Sequence, residues 1–396
     1  MKKIHPRYGH GRGSHMNQQG KCYKCGGFLA VNDAEDAVIC PFCNQPIIVE
    51  RAIKNFTGDT PKPLPKPFQP TPDSFFDVTD GVLVSCNCFT EADIHIPDGV
   101  RAIGETAFQG MNNIQSIHIP AGTKFIGSSA FSGCKNLHSV IIPEGVEAID
   151  GDVFNGCTGL KQLHLPNSIT KMEAGALSGC TGLESVNIPA HVETLPWRVF
   201  EGCTSLKFIV IPRRVKTIDD YAFAECTALE EVRFECRRPE KNADYGVKRI
   251  GMNAFLNCTA LRRIELPETL EYIGNQAFQN CTDLHSLVIP KSVKAIYPLA
   301  FANCTALESV TFNGKTMLYK GSNPYKYGNN VATFYNCPKL LHVSYSALQP
   351  HFWAFPAYMQ ANEPVFIENG KCRHCGGSFN GKATKICTVC NTPKDY

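Results

Sequence analysis

Eight of the twenty cysteines fall in C-x-x-C pairs, and their spacing is where the sequence first commits to chemistry. Cys22 and Cys25 are followed, after fourteen residues, by Cys40 and Cys43; Cys372 and Cys375 are followed, after eleven, by Cys387 and Cys390. Two intervening residues let one turn present both sulfurs to a single ion, and four sulfurs complete the tetrahedral set that zinc favours. The residues after the second cysteines are Gly26, Asn44, Gly376 and Asn391, types that tolerate the left-handed backbone through which N–H groups reach the sulfurs. Lys21, Lys24, Lys371 and Arg373 stand beside them to offset the net negative charge of a four-thiolate zinc. Four knuckles in two tandem sets fit zinc better than a redox role for each pair, so two structural Zn2+ ions are expected. A closed four-sulfur site leaves no position for water or substrate, and catalysis by these metals is not expected.

A second pattern must position everything else. Phe108, Phe131, Phe154, Leu177, Phe200, Phe223, Phe255, Phe278, Phe301 and Phe334 recur, mostly 23 residues apart. Three residues beyond each stand Met111, Cys134, Cys157, Cys180, Cys203, Cys226, Cys258, Cys281, Cys304 and Cys337. A proline column shares the phase, from Pro97, Pro120 and Pro143 to Pro267 and Pro290. Three in-phase columns define ten rungs of a repeat.

Within one rung Leu160, Leu163 and Leu165 alternate as strand residues do, and Pro166 ends the strand because it has no N–H for the ladder. Ile169, Met172 and Leu177 turn inward from the return path. Full burial of each such side chain contributes roughly 1.5–3 kcal/mol, against about 1–2 kcal/mol of backbone entropy per ordered residue, so a rung is stable only between stacked neighbours. The fold class expected is an α/β-type repeat solenoid, mostly β: a right-handed superhelix with one short parallel strand per 23-residue rung. The ladder cysteines read as small buried hydrophobes and are expected to be reduced. Cys86, Cys88 and Cys236 fit neither pattern.

The unit L-x-x-I-x-I-P, then V-x-x-I-G-x-x-A-F-x-x-C, resembles the BspA-like, bacterial surface-antigen class of leucine-rich repeats. Ile250-Gly251-Met252-Asn253-Ala254-Phe255-Leu256-Asn257-Cys258 is a near-complete copy, and Phe76-Asp77-Val78 with Asp80-Gly81-Val82-Leu83 is similar to that family's opening hairpin. The resemblance implies the leucine-rich-repeat fold and binding or adhesion surfaces, often secreted, with diverse partners. Both cysteine-rich ends resemble zinc ribbons, the last one like the short ribbons attached to bacterial multidomain proteins. The organisation expected is a tag or upstream extension over 1–16, a zinc ribbon over 17–56, a proline-rich linker over 57–75, a solenoid over 76–346, an aromatic cap over 347–369 and a second ribbon over 370–396. Intervals of 32 residues before Phe255 and 33 before Phe334 place inserted loops near 235–246 and 314–332. The second loop interleaves Lys315, Lys320 and Lys326 with Tyr319, Tyr325 and Tyr327; a solvated surface loop is the expectation, base stacking the alternative.

In L-x-x-L-x-L the residue between the last two inward positions faces outward, giving one column from His95 and His118 through Ile141, His164, Asn187, Val210 and Arg233 to Glu265 and Val288. A parallel column, two residues earlier, includes Phe208, Glu231 and Arg263. Register across the first insertion sets Glu231 beside Arg263 and Arg233 beside Glu265. Apolar Ile141, Phe208 and Val210 on a face that water reaches mark it as the expected protein-docking surface, with His164, Asn187, Glu231 and Arg233. The adjacent His95 and His118 lack the further ligands that a metal site needs.

The chain carries 39 basic and 36 acidic residues, and without residues 1–16, which hold Lys2, Lys3, Arg7 and Arg12, the balance is close to neutral. No global field points to nucleic acid or an anionic membrane. No apolar run is long enough to span a bilayer and no export signal is apparent, so a cytoplasmic address is expected, with a surface or secreted one as the alternative. No phosphate-cradling loop, nucleophile elbow or His-Glu metal motif appears. The function expected is a non-enzymatic scaffold for an unknown protein partner, with no membrane partner and no small-molecule substrate. Nucleic-acid or ribosome contact through the ribbons is the alternative, prompted by five basic residues against one acid in 371–396.

Overall fold

In a computed structural model of the 396-residue chain, the structure describes residues 17–21, 28–32, 37–39, 46–48, 75–88, 90–235, 244–319, 332–345, 379–380 and 386–387. The chain divides into two units, Met1–Gln69 and Pro70–Tyr396. Among the described residues no helix is long and apolar enough to cross a membrane.

The first unit contains two antiparallel hairpins. Strand β1 (Asn17–Lys21) pairs with β2 (Phe28–Asn32), closing at Lys21 opposite Phe28. Strand β3 (Ala37–Ile39) pairs with β4 (Pro46–Ile48), closing at Ile39 opposite Pro46.

The second unit opens with the hairpin of β5 (Phe76–Thr79) and β6 (Val82–Cys86). Asp80 and Gly81, with φ of 52° and 79°, turn it. Both central residues lie at positive φ, as a two-residue hairpin turn of matching twist demands, and Asp-Gly meets that demand cheaply. From there the chain winds as a parallel solenoid. Front strands such as Asp93–His95, Ser116–His118 and Ser139–Ile141 pair in register, His95 beside His118 and Ile141 beside His118 on its other side.

The spacing accounts for one strand per rung; the structure has two. Short return strands, among them Ala102–Ile103, Phe125–Ile126 and Ala148–Ile149, form a second parallel sheet that β6 begins. These three are each only two residues long, with one residue buried, so no run of alternation marks them in the sequence.

Between the sheets lies one continuous core. Every phenylalanine of the column is buried, and neighbouring rings stack with centroids 5.0–5.4 Å apart. Leu177 interrupts the stack and is equally buried. The nine ladder cysteines are free and buried. Each Sγ donates to the carbonyl of the column residue one rung earlier, from Cys134 to Phe108 at 3.0 Å to Cys337 to Phe301 at 3.1 Å, with Cys203 bonding to Leu177. The chain turns sharply just before Met111 and just before each of these cysteines. Gly110, Gly133, Gly156, Gly179 and Gly202 supply positive φ there in the first rungs; Glu225, Asn257, Asn280, Asn303 and Asn336 do so afterwards. In that second half the amides form a chain: Asn336 donates to Asn303 (2.9 Å), Asn303 to Asn280 (2.7 Å), Asn280 to Asn257 and Asn257 to Glu225.

Pairing resumes in register beyond both insertions, Thr217 with Arg249 and Ser309 with His342, while Met317–Leu318, expected within the second loop, forms a return strand paired with Ala295–Ile296 because Leu318 is buried in the core. At the first loop, Asp244 is held by Lys216 at 3.1 Å and by Lys248, and Arg213 lies 4.2 Å over the Tyr245 ring. The expected aromatic cap over 347–369 and most of the linker over 57–75 lie outside the described residues.

Candidate partner-binding face

The front sheet presents the two outward columns that the repeat implies. At its start the imidazoles of His95 and His118 stack at 4.2 Å with planes 6° apart, and Ser116 Oγ donates to Asp93 Oδ1 between the same strands. Burial, then the neighbouring His95, pushes His118 below the usual imidazole value, while Asp93 pulls the other way. Next to this pair Ile141 is 51% exposed.

His164 and Asn187, one and two rungs further, are half-buried and turned to internal use. The Asn187 carboxamide accepts from Leu165 N (2.8 Å) and donates to Leu165 O (2.7 Å), replacing ladder bonds where both strands are only two residues long. Burial lowers the His164 pKa, opposed by Glu144 and by a hydrogen bond with Asn187. Periodicity marks Asn187 as outward-facing, but not that its amide is consumed by the neighbouring rung.

Phe208 and Val210 lie on one four-residue strand, Phe208–Ile211, and are half-buried. Their register partners are Glu231 and Arg233. Arg233 bonds Glu231 at 2.9 Å along its own strand, and Glu231 meets Arg263 at 3.8 Å across the next, as the alignment over the first insertion implies. These pairs are exposed enough that water screens most of their attraction.

Among the described residues the front strands form separate short sheets, with breaks after Ser139–Ile141, after Ser185–Val186 and after Arg263–Ile264; at the last break the return strands continue in register beside it. A depression of about 470 Å³ opens there, lined by Arg263, Glu265, Ser286, Val288 and Lys291 among others. Val288 is 51% exposed. Column spacing carries no sign of this opening, because the repeat keeps its period through the break.

Among the described residues no three His, Cys, Asp or Glu side chains converge as a metal site. The side chains of Cys22, Cys25, Cys40, Cys43, Cys372, Cys375, Cys387 and Cys390 lie outside the described residues. Cys86 and Cys88 form a disulfide. A signal for Cys88 was present, since it precedes Met111 by 23 residues, but Ser85 stands where that rung's phenylalanine would be.

A parallel solenoid of 23-residue rungs, cored by a phenylalanine stack and open along its strand face, defines a leucine-rich-repeat protein. Matches to the BspA type leucine rich repeat region cover 83–207, 125–242, 195–316 and 239–350, and the chain belongs to that family. Among solved structures, a leucine rich repeat protein of T. pallidum (TpLRR) is similar at 22% identity, with 55% of this chain and 91% of that one covered and a TM-score of 0.43. One from Bacteroides ovatus matches at 24% identity over 68% of this chain and 92% of its own, TM-score 0.33. The pneumococcal vaccine antigen PcpA matches at 19% identity, covering 65% and 69%, TM-score 0.42. A search of curated proteins finds no match.

Proposed function

We propose that the chain is a non-catalytic scaffold whose front sheet docks a protein partner around Ile141, Phe208 and Val210, flanked by Glu231 and Arg233. The observation that carries this reading is the exposed Ile141, with Val288 further along, on a strand face whose charged residues between them, Glu231, Arg233 and Arg263, largely satisfy one another. Paired charges resist non-specific partners while apolar anchors remain to be covered. Affinity purification from the source organism, with and without nuclease and followed by mass spectrometry, tests it. A protein recovered by the wild-type chain should be lost with Phe208→Asp/Val210→Asp and retained with Thr194→Asp on the return sheet. Equal recovery by all three chains, or recovery abolished by nuclease, overturns the reading.

The eight paired cysteines are assigned in the same proposal to two structural zinc ions, one at each end. In support, the segment joining β1 to β2 carries Cys22 and Cys25, the one joining β3 to β4 carries Cys40 and Cys43, and Cys387 ends a strand, Ile386–Cys387, paired with Phe379–Asn380. Short hairpins with a cysteine pair in the connection are what a four-thiolate knuckle requires.

A further inference from the structure

We propose that Cys86 and Cys88 are a reversible dithiol–disulfide pair that fastens the opening hairpin to the first rungs or releases it, according to the surrounding thiol redox state. The two sulfurs are bonded, with Cα atoms 5.4 Å apart, and both residues are buried. Their place in the repeat explains why this pair differs from the nine ladder thiols. Each ladder S–H donates to a carbonyl one rung earlier. Cys88 stands in the same column in the first rung, 23 residues before Met111, but its sulfur is bonded to Cys86 and carries no S–H to donate along the ladder.

The pair is also chemically insulated. Met111 stands between Cys88 and Cys134 in the sulfur column, and a thioether cannot enter thiol–disulfide exchange. Oxidation at Cys86 and Cys88 therefore does not pass down the ladder. What the bond controls is local: Cys86 N donates to Ala107 O (3.3 Å), Asn87 N to Phe75 O (2.8 Å), and Asn113 Nδ2 to Cys88 O (2.7 Å). The three-residue loop thus ties together the chain leading into β5, the end of β6 and the second rung. The oxidant is a low-molecular-weight disulfide such as oxidised glutathione. One protein thiolate attacks it and expels a glutathione thiolate; the second protein thiolate then attacks the mixed disulfide and expels the other. Two protein S–H bonds are replaced by one S–S bond, and one glutathione disulfide becomes two glutathiones.

The full chain is equilibrated in glutathione buffers from reduced to oxidised, blocked with N-ethylmaleimide under denaturant, and the peptide bearing Cys86 and Cys88 is weighed. It should carry both labels in reduced buffer and neither in oxidised buffer. Hydrogen exchange on the same samples should show the Cys86 and Asn87 amides exchanging about tenfold faster or more when reduced, with Phe154 and Phe223 unchanged, as expected of a local opening. A Cys86→Ser/Cys88→Ser chain should exchange at the reduced rate in both buffers. Labelling of both cysteines at every ratio overturns the proposal, as does equal exchange of Asn87 in the two wild-type states.

Discussion

At the scale of single residues, the ladder cysteines do more than fill space. A buried S–H aimed at a carbonyl satisfies an acceptor at the turn, and burial disfavours the thiolate. Burial pushes Cys134 up to about 11 and Cys180 to about 12, and Cys157, Cys203, Cys226, Cys258, Cys281 and Cys304 move the same way. The folded values lie above the unfolded one, so the stabilisation is complete below the unfolded thiol value near 9 and is lost as pH rises through the folded values. Denaturant midpoints should therefore fall steeply above about pH 9. The fall should be shallower in Cys180→Ser, which keeps a donor but does not titrate; identical slopes would show that the thiols are not responsible. Periodicity made the burial of these sulfurs legible, whereas the partner of each S–H depends on where the neighbouring carbonyl points.

One element is built in two ways along its length. The sharp turn before each sulfur uses glycine in the early rungs and asparagine in later ones, at nearly the same φ: 69° at Gly156 and 62° at Asn280. Glycine meets the conformation without a Cβ penalty; asparagine tolerates it and adds a hydrogen bond to each neighbour. Asn280→Gly and Asn280→Ala both break the amide chain, but only alanine places a Cβ in left-handed backbone without compensation. Alanine should therefore be the more destabilising of the two by about 1–2 kcal/mol in chemical denaturation, the reverse of the order seen inside helices. Equal effects would mean that the turn relaxes out of this conformation. The columns revealed where each rung turns, but not the two-residue return strands, whose pairing is set by the stacked neighbours rather than by local alternation.

At the scale of the whole molecule, the physics that holds the repeated body differs from that proposed for the two ends. The body is held by rung-on-rung burial, and its period made the fold readable from about Phe76 onward. The proposed docking face was readable only as a pair of columns: Ile141 is exposed as expected, Asn187 is spent on Leu165, and no residue type announces the opening beside Val288. The ends are proposed to be held by metal. Freshly isolated full-length protein should contain about two zinc per chain by elemental analysis, the stoichiometry of two closed four-thiolate sites. Chelation should then collapse the β1–β2 hairpin signals while leaving exchange in the Phe154 and Phe223 rungs unchanged. Less than one zinc per chain would remove the metal from both ends.

The two long intervals leave the stacking undisturbed, since Thr217 meets Arg249 and Ser309 meets His342 with no shift of register. The closure entropy of chain inserted at such points grows only with the logarithm of its length. Inserts of other lengths at these two places should therefore cost the coil beneath them little, which suits them to carrying added segments.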